Sequence, residues 1–538
     1  MDLAVPNTIL RADQKERMIT EFLIRKNEYH DSVFLMRVAK RLSDQKGILQ
    51  AAALMGTEKN KALLAEIGFG GAEVTTATPN DLILAIQADD RQSLRSILEN
   101  IDEWLQPILD SNATPVVRTL EEAVARQPRA NLVVISVPGT YAAREARKAL
   151  EHGLNVFLFS DNVPVESELS LKEFARQQGL IVMGPDCGTA IIGGIGIGFA
   201  NTVRRGPVGV IGASGTGIQE FTTLVHHAGS GISQAIGIGG RDLSDQIGGV
   251  SLLIAMEALE SDPQTEVIAI LSKPPGPKTV SKLIQKIHHC HKPVITCFLG
   301  IKEGFEEDSI SHWRARTLDD AAALAVELTT GHKTPSLNVK SPDLEALLSK
   351  MRMGMTLGQK YIRGIFAGGT FCYQAQQILK DAGITVYSNV PIEGNLILFD
   401  PFRSVEHSLV DLGSDEFTAG RPHPMIDSRL RCERIIAEAQ DPQVGILLFD
   451  LILGFNVPLD PAGELASAIK AAKNVARYRG GDLTVIASVC GTEEDSQDLR
   501  GQIKQLEEEG VFVFRSSSQA AFFCAQLAVS LEEASRGE

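Results

Sequence analysis

Aromatic residues are scarce in this 538-residue chain: they make up 5%, with Trp at 2 and Tyr at 6. An interior short of large rings is filled by aliphatic side chains between closely approaching backbones, and 48 glycines supply the tight turns this needs. Cysteine is also sparse. Cys187, Cys290, Cys297, Cys372, Cys432, Cys490 and Cys524 are scattered and odd in number, which argues against a disulfide framework and for a reducing cytoplasm. No apolar run approaches the ~18 residues that span a bilayer, and the N-terminus lacks a basic-then-apolar leader pattern. Basic charge is in deficit, the formal net charge being −15. A phosphate backbone needs a basic face, so non-specific nucleic-acid binding is not expected. The expectation is a large cytoplasmic α/β protein with no nucleic-acid or membrane partner.

The strongest positive signal is a Gly-rich turn that occurs twice. Residues 209–217 read GVIGASGTG, and residues 364–370 read GIFAGGT. Each follows an apolar run and opens an amphipathic stretch, as a strand entering a tight turn into a helix does. Unpaired N–H groups at such a helix start favour an anion. Ser214, Gly215, Thr216 and Gly217 form one candidate phosphate or carboxylate cradle, and Gly368, Gly369 and Thr370 a second. The bland reading of each is a strand–helix turn that merely requires glycine.

The surroundings of the two turns also repeat. After the first come His227-Ala228-Gly229, then Gly239, Gly240, Arg241 and Asp242, then Ser261-Asp262-Pro263-Gln264 and an apolar run over 267–271. After the second come Asp381-Ala382-Gly383, then Asp411-Leu412-Gly413-Ser414-Asp415, then Gln440-Asp441-Pro442-Gln443 and an apolar run over 445–449. A fixed order of parts recurring in one chain is evidence of duplication. Before them, apolar runs at 132–137 and 156–159 alternate with helix-like stretches, which favours βαβ units and a parallel sheet. Nearer the N-terminus, 32–38, 51–55 and 82–86 read as strands, and 57–64 as a helix with a capping residue.

The domains expected are an N-terminal α/β region over 1–115, a Rossmann-like domain over 116–203, one repeat unit over 204–332, a connector with one helix over 333–358, and the second unit over 359–538.

Taken together, Gly184-Pro185-Asp186-Cys187-Gly188, the first turn and Gly237-Ile238-Gly239-Gly240-Arg241-Asp242 resemble the alpha subunit of succinyl-CoA synthetase. The second unit resembles the CoA-ligase domain of its beta subunit. The pattern is also similar to the FdrA family, through Ala77-Thr78-Pro79-Asn80-Asp81-Leu82, the 184–188 run and Gly420-Arg421-Pro422-His423-Pro424-Met425-Ile426-Asp427. The resemblance implies a Rossmann-like CoA-binding-type domain followed by two flavodoxin-like ligase domains. It does not by itself carry the chemistry. Succinyl-CoA synthetases phosphorylate a His in a Gly-His-Ala-Gly loop, where this chain reads Ile301-Lys302-Glu303-Gly304-Phe305. Their orienting Glu is matched here by Lys273. The nucleotide-binding domain is missing, and the Gly-rich CoA turn is not recognisable, so no cofactor is assigned although CoA stays open.

FdrA-like proteins are linked to a multi-subunit oxamate carbamoyltransferase of allantoin degradation, which interconverts oxalurate plus phosphate with oxamate plus carbamoyl phosphate. The resemblance thus implies small anionic substrates and a hetero-oligomer. The alternatives are an acyl-CoA synthetase with a separate nucleotide-binding subunit, and a non-catalytic CoA- or anion-sensing scaffold.

Candidate residues follow. Arg241 can present a guanidinium fork to a planar substrate, or be a solvated surface Arg. His423, fixed between two prolines beside Arg421, suits acid–base work, or else packs in a rigid loop. Lys273 can clamp an anion, or sit in an exposed Pro-rich loop. His288-His289-Cys290-His291 point apart on a turn and have no second ligand pair at zinc spacing, so no metal is expected. Cys187 is expected to be buried and structural.

Overall fold

The computed structural model describes residues 19–30, 32–105, 117–301, 311–333, 342–356, 358–418 and 421–536. The chain divides into two compact units, residues 1–118 and 119–538. The first holds a three-stranded antiparallel sheet of β1 (Ile19–Arg25), β2 (Ile48–Met55) and β3 (Leu82–Ala88), in the order β1-β3-β2. The central strand β3 is buried along nearly its whole length. Residues 32–38, expected as a strand, instead begin the helix Ser32–Ser43. Its buried residues are Leu35, Val38 and Leu42, three and four apart, so a helical stripe decides over a short apolar run. The helix Glu58–Glu66 is capped as expected, Thr57 accepting from the Asn60 N–H at 3.3 Å. In the Ala77–Leu82 motif, Asp81 is buried and accepts from the N–H groups of Asn27 and Thr78, pinning that turn.

The second unit starts with a small parallel sheet of β4 (Leu132–Ile135), β5 (Asn155–Leu158) and β6 (Val182–Met183). A seven-stranded sheet follows. It contains β7 (Thr189–Ile192), β8 (Ile195–Gly198), β9 (Arg205–Gly212), β10 (Ile232–Gly237), β11 (Val267–Ser272), β12 (Val294–Phe298) and β13 (His312–Ala315), in the order β13-β12-β11-β9-β10-β7-β8. The hairpin β7–β8 pairs antiparallel with β10 through Ile191. It therefore belongs to this sheet, not to the Rossmann-like segment that the sequence reading closed at 203.

The second seven-stranded sheet is parallel throughout. Its strands are β14 (Tyr361–Phe366), β15 (Tyr387–Ser388), β16 (Leu396–Ile397), β17 (Ser408–Asp411), β18 (Val444–Ile452), β19 (Thr484–Cys490) and β20 (Val511–Phe514), in the order β16-β15-β17-β14-β18-β19-β20. The run β10-β9-β11-β12-β13 in one sheet matches β17-β14-β18-β19-β20 in the other, so the repetition in the sequence is a repetition of topology. This second-strand-first order is that of flavodoxin-like sheets, whose ligands bind outside the carboxyl ends of the strands. One hydrophobic core joins the two copies, with Val210, Phe221 and Leu271 from the first and Phe366, Phe371 and Leu448 from the second in the same cluster.

Candidate functional site

Each Gly-rich turn connects the first strand of its repeat to a helix of 13 residues, Gly215–His227 after β9 and Gly369–Asp381 after β14. The two helix starts meet: the hydroxyls of Ser214 and Thr370 are hydrogen-bonded to each other. Ser214 also caps its own helix, accepting from the Gly217 N–H at 3.0 Å. A side chain on Gly217 would stand 3.5 Å from the Thr370 methyl, and one on Gly368 would stand 3.2 Å from the Thr216 methyl. At Gly368 a side chain would also crowd Phe371 at 2.9 Å and Asp450 Oδ2 at 3.0 Å, which favours glycine there.

The two turns differ in what surrounds them. Strand register makes Gly237 and Leu271 the neighbours of Gly212 in the first copy. In the second copy Asp411 pairs with Phe366, and Asp450 directly follows Phe449, the partner of Ile365. In the first, the Ala213 N–H simply continues the ladder to the Leu271 carbonyl at 2.9 Å. In the second, the Asp450 carboxylate accepts from Ala367 N–H at 2.9 Å and Gly368 N–H at 2.7 Å. Asp450 is fully buried and paired with Arg431 at 3.0 Å. An internal carboxylate therefore takes the Ala367 and Gly368 amides of the second turn, which corrects the expectation that the Gly368 amide is free for an external anion.

The first turn opens on a shallow concavity lined by Gly212, Ser214, Gly215, Gly239, Asp186 and Thr189. Thr189 is 1% exposed. Its hydroxyl has no hydrogen-bond partner among the described residues and lies 3.1 Å from where a side chain on Gly215 would begin. This polar group at a helix N-terminus has an unused hydrogen-bonding capacity.

Two carboxyls flank the junction. Asp186 keeps an exposed face; the packing of protein around the rest of it pushes it up to about 6, helped by repulsion from Asp161 and Asp415 and opposed by Arg241 and Lys273. Burial likewise pushes Asp411 up to about 6, against the pull of Lys273 and of the Gly413 N–H. Lys273 acts on both carboxyls and also stands 5.7 Å from the Tyr373 ring centre. It is thus near the two turns rather than lost in a remote loop.

Arg241 is not a free fork. It donates to the Val163 carbonyl at 2.7 Å and pairs with Glu168 at 2.9 Å. Glu168 in turn pairs with the buried Lys172, which also holds Asp242. Gly239 takes a positive φ of 83° against the Gly184-Pro185 backbone, and Gly240 lies beside Asp186.

His423 is brought to the second turn, its ring 5.9 Å from that of Phe199. Its Nδ1 accepts from the Met425 N–H at 3.2 Å. Burial, then Arg431, pushes its pKa down to about 4. With Nδ1 so engaged, the neutral ring presents Nε2–H near Gly413 and Asp411. It is a hydrogen-bond donor more than the proton-exchanging base the sequence suggested. Arg421 is exposed at the start of the same loop, and Gly420 lies outside the described residues, as do Lys302 to Phe305. Cys187 is buried and its thiol is raised to about 12 by burial, which fits a structural role.

Sequence reasoning gave no role to Thr189, Asp411 or Asp450. Aligning the two copies strand by strand would have exposed the last two, as acids standing where the first copy has Gly237 and Leu271. His226, His227 and Glu493 gather within 4.8 Å, but His226 Nδ1 already accepts from the Arg204 N–H at 3.0 Å. In the 288–291 run, Cys290 is buried and His291 pairs with Glu260.

Comparison with known proteins follows this layout. The CoA-ligase family matches residues 365–526, on the second sheet. The CoA binding domain family matches 203–298, on the first sheet, whereas the sequence reading placed the CoA-binding-type domain at 116–203. Residues 18–117 match the family described as AllF, heavy metal-associated domain. The N-terminal unit has no cysteine, and its one histidine, His30, pairs with Glu28 and stacks on Phe34. Among the described residues, no helix is long and apolar enough to cross a membrane.

The alpha subunit of the ADP-forming succinate–CoA ligase of Methanothermobacter thermautotrophicus is 28% identical over 33% of this chain, and the match spans only 60% of that subunit. The apo dinucleotide-forming acetyl-coenzyme A synthetase 1 of Ca. Korarchaeum cryptofilum is 16% identical, with a TM-score of 0.31 over 76% of this chain and 85% of that one. The protein named "Uncharacterized protein YahF" of Escherichia coli is 41% identical over 96% of this chain and all of its own length. The chain belongs to the same succinyl-CoA-synthetase-like family as YahF.

Proposed function

We propose that this chain is a subunit of a group-transfer enzyme that moves a carbamoyl group between phosphate and an amide nitrogen, without a phosphorylated side chain. The observation that carries the reading is the meeting of the two helix starts at Ser214 and Thr370, with two near-neutral carboxyls and Lys273 around them. Phosphate binds at the open first turn, to Ser214, Gly215, Thr216 and the Thr189 hydroxyl. A phosphate oxygen attacks the ureido carbonyl carbon of oxalurate. The carbon–nitrogen bond then breaks, and the departing oxamate nitrogen takes a proton. Asp186 and Asp411, ionising at about 6, can hold or release that proton close to neutrality. Lys273 and the neutral His423 Nε2–H offset the negative charge that develops on oxygen. Arg421 orients the substrate from the loop, and partner subunits complete the site. The test is to supply oxalurate and phosphate to the protein with its co-purifying partners. Carbamoyl phosphate should form, and its absence counts against the reading.

A second reading is favoured by the likeness to succinate–CoA ligase alpha subunits: an acyl-CoA synthetase completed by a separate nucleotide-binding subunit. It requires a phosphoenzyme, so labelled ATP should leave an acid-labile, base-stable mark on this chain. The carbamoyl reading expects none.

A further inference from the structure

The outer edges of the two large sheets are finished differently. In the first sheet the outermost strand, β8, is met by the second copy: Asn456 donates to the Gly198 carbonyl at 2.7 Å, and a side chain on Gly196 would strike the Phe455 ring. The strand in the same place in the second sheet is β16. Its two residues, Leu396 and Ile397, are each 44% exposed, and the connection that follows adds Phe399 at 92%, Phe402 at 53% and Val405 at 44%. Single apolar side chains on a surface are ordinary, but five within residues 396–405 form a continuous strip.

The strip is held in place from behind. The Phe402 N–H donates to Asp400 at 3.0 Å and the Val405 N–H to the Ser408 hydroxyl at 3.0 Å. Arg434 donates to the Pro401 carbonyl at 2.9 Å and to the Ser404 hydroxyl at 2.6 Å, and the Phe402 ring packs edge-on against the buried Phe417. Groups already fixed lose little freedom on binding. The charges of the strip are Asp400 and Arg403, which pair with each other at 3.8 Å. It is thus neutral in a chain of net charge −15, and two copies meeting there bring no like charges together.

The main chain favours a second copy. The N–H groups of Leu396 and Leu398 donate to Val386 and Ser388 on the β15 side, at 2.9 and 2.8 Å. Alternation along the strand turns the N–H and C=O of Ile397 outward. A twofold axis at Ile397 lets it exchange both bonds with its own counterpart, which closes an isologous pair. The exposed side chains offer on the order of 500 Å² per copy, so that two copies reach the size at which a specific interface begins. We propose that residues 396–405 are a contact between two copies of this chain, with the β16 strands antiparallel across the axis and Phe399 and Phe402 packed beside them. The short strand sets the register, and the side chains supply the binding.

The contact is independent of the chemistry proposed above. The full-length protein is followed by sedimentation velocity from about 1 to 100 μM, the range that so small an interface implies. A monomer–dimer equilibrium should appear within it. Phe399→Asp places a charge in the contact and should weaken the dimer at least ~10-fold. Ile397→Pro removes an N–H that its own sheet does not use, and with it two hydrogen bonds per dimer, and should also weaken it ~10-fold. Both variants should keep the wild-type urea transition, since both positions are exposed. The proposal is overturned if the wild type is monomeric throughout the range, or if either substitution leaves dimerisation unchanged. It is also overturned if the strip instead holds a different co-purifying protein that Phe399→Asp releases.

Discussion

The two copies share a strand order and a turn, yet they treat the same helix start in opposite ways. In the first copy, the neighbours across the sheet are Gly237 and Leu271, and the helix beginning at Gly215 faces a concavity. In the second, Asp411 pairs with Phe366 and Asp450 follows Phe449, and a carboxylate of the protein itself sits on the turn amides. A positive helix end attracts a negative group in either case. Where the sheet provides that group the turn becomes a structural joint, and where it does not the turn stays available to a ligand. The two copies share the turn, and in the second the Asp450 carboxylate holds its amides.

The sharpest way to break this comparison is to make the second copy resemble the first. Asp450→Leu places the residue of position 271 on the equivalent strand. It also removes the partner of the buried Arg431 and the acceptor of two main-chain N–H groups. Removing one member of a buried ion pair costs about 3–5 kcal/mol, so the urea midpoint of the larger unit should fall steeply. A fall of less than about 1 kcal/mol would mean that water substitutes for the carboxylate and that the joint is not structural.

A smaller effect comes from another mismatch. Glu220 and Gln374 occupy the same position in their two helices, and both bind the Ser517 hydroxyl, at 2.7 and 2.8 Å. Burial, with repulsion from Asp319, raises Glu220 to about 8 from an ordinary 4.5. Below pH 4.5 the folded and unfolded chains both carry its proton, and the group imposes no penalty. Between pH 4.5 and 8 only the folded chain keeps the proton, so stability declines as pH rises, and above 8 the decline levels off. Glu220→Gln copies the other helix and should flatten this part of the pH profile, with its largest gain in melting temperature near pH 8. Gln374→Glu should steepen it. Equal slopes in all three proteins would show that the Ser517 hydrogen bonds keep Glu220 ionised.

Much of the scaffold was legible. Two glycine turns after apolar runs, followed by the same order of parts, led to two matched parallel sheets. Residues 32–38 misled because a helical face buried on one side and a short strand share an apolar composition, and only the spacing of Leu35, Val38 and Leu42 separates them. Residues 189–198 fell inside the segment closed at 203, because the pairing of their hairpin with β10 depends on a contact distant in sequence. Within the site, the positions of Ser214 and Thr370 at helix starts were legible because helix-start chemistry is local. Asp411, Asp450 and Thr189 were not, since their importance comes from strand register and burial. Arg241 looked available because the residue that engages it, Glu168, lies in a different helix far along the chain.

The finest test compares the two opening glycines. A methyl on Gly369 would stand 2.5 Å from Asp411 Oδ2, a carboxyl fixed by the Gly413 N–H at 2.9 Å. Gly369→Ala must displace that group and should cost about 1–2 kcal/mol, the usual scale for overpacking. A methyl on Gly215 would meet the Thr189 hydroxyl at 3.1 Å and then only backbone at 3.4 Å and beyond. Gly215→Ala should therefore change stability by less than about 1 kcal/mol, since alanine gains helix propensity where glycine spends entropy. Phosphate binding should invert the order. The methyl at 215 intrudes on the open turn and should weaken phosphate at least ~5-fold, a hydrogen bond's worth, whereas the methyl at 369 lies against the Asp411 carboxyl, in a turn whose Ala367 and Gly368 amides Asp450 already holds, and should leave phosphate affinity within about twofold. If both substitutions weaken phosphate equally, the anion spans the Ser214–Thr370 junction, and the second turn takes part in binding despite its internal carboxylate.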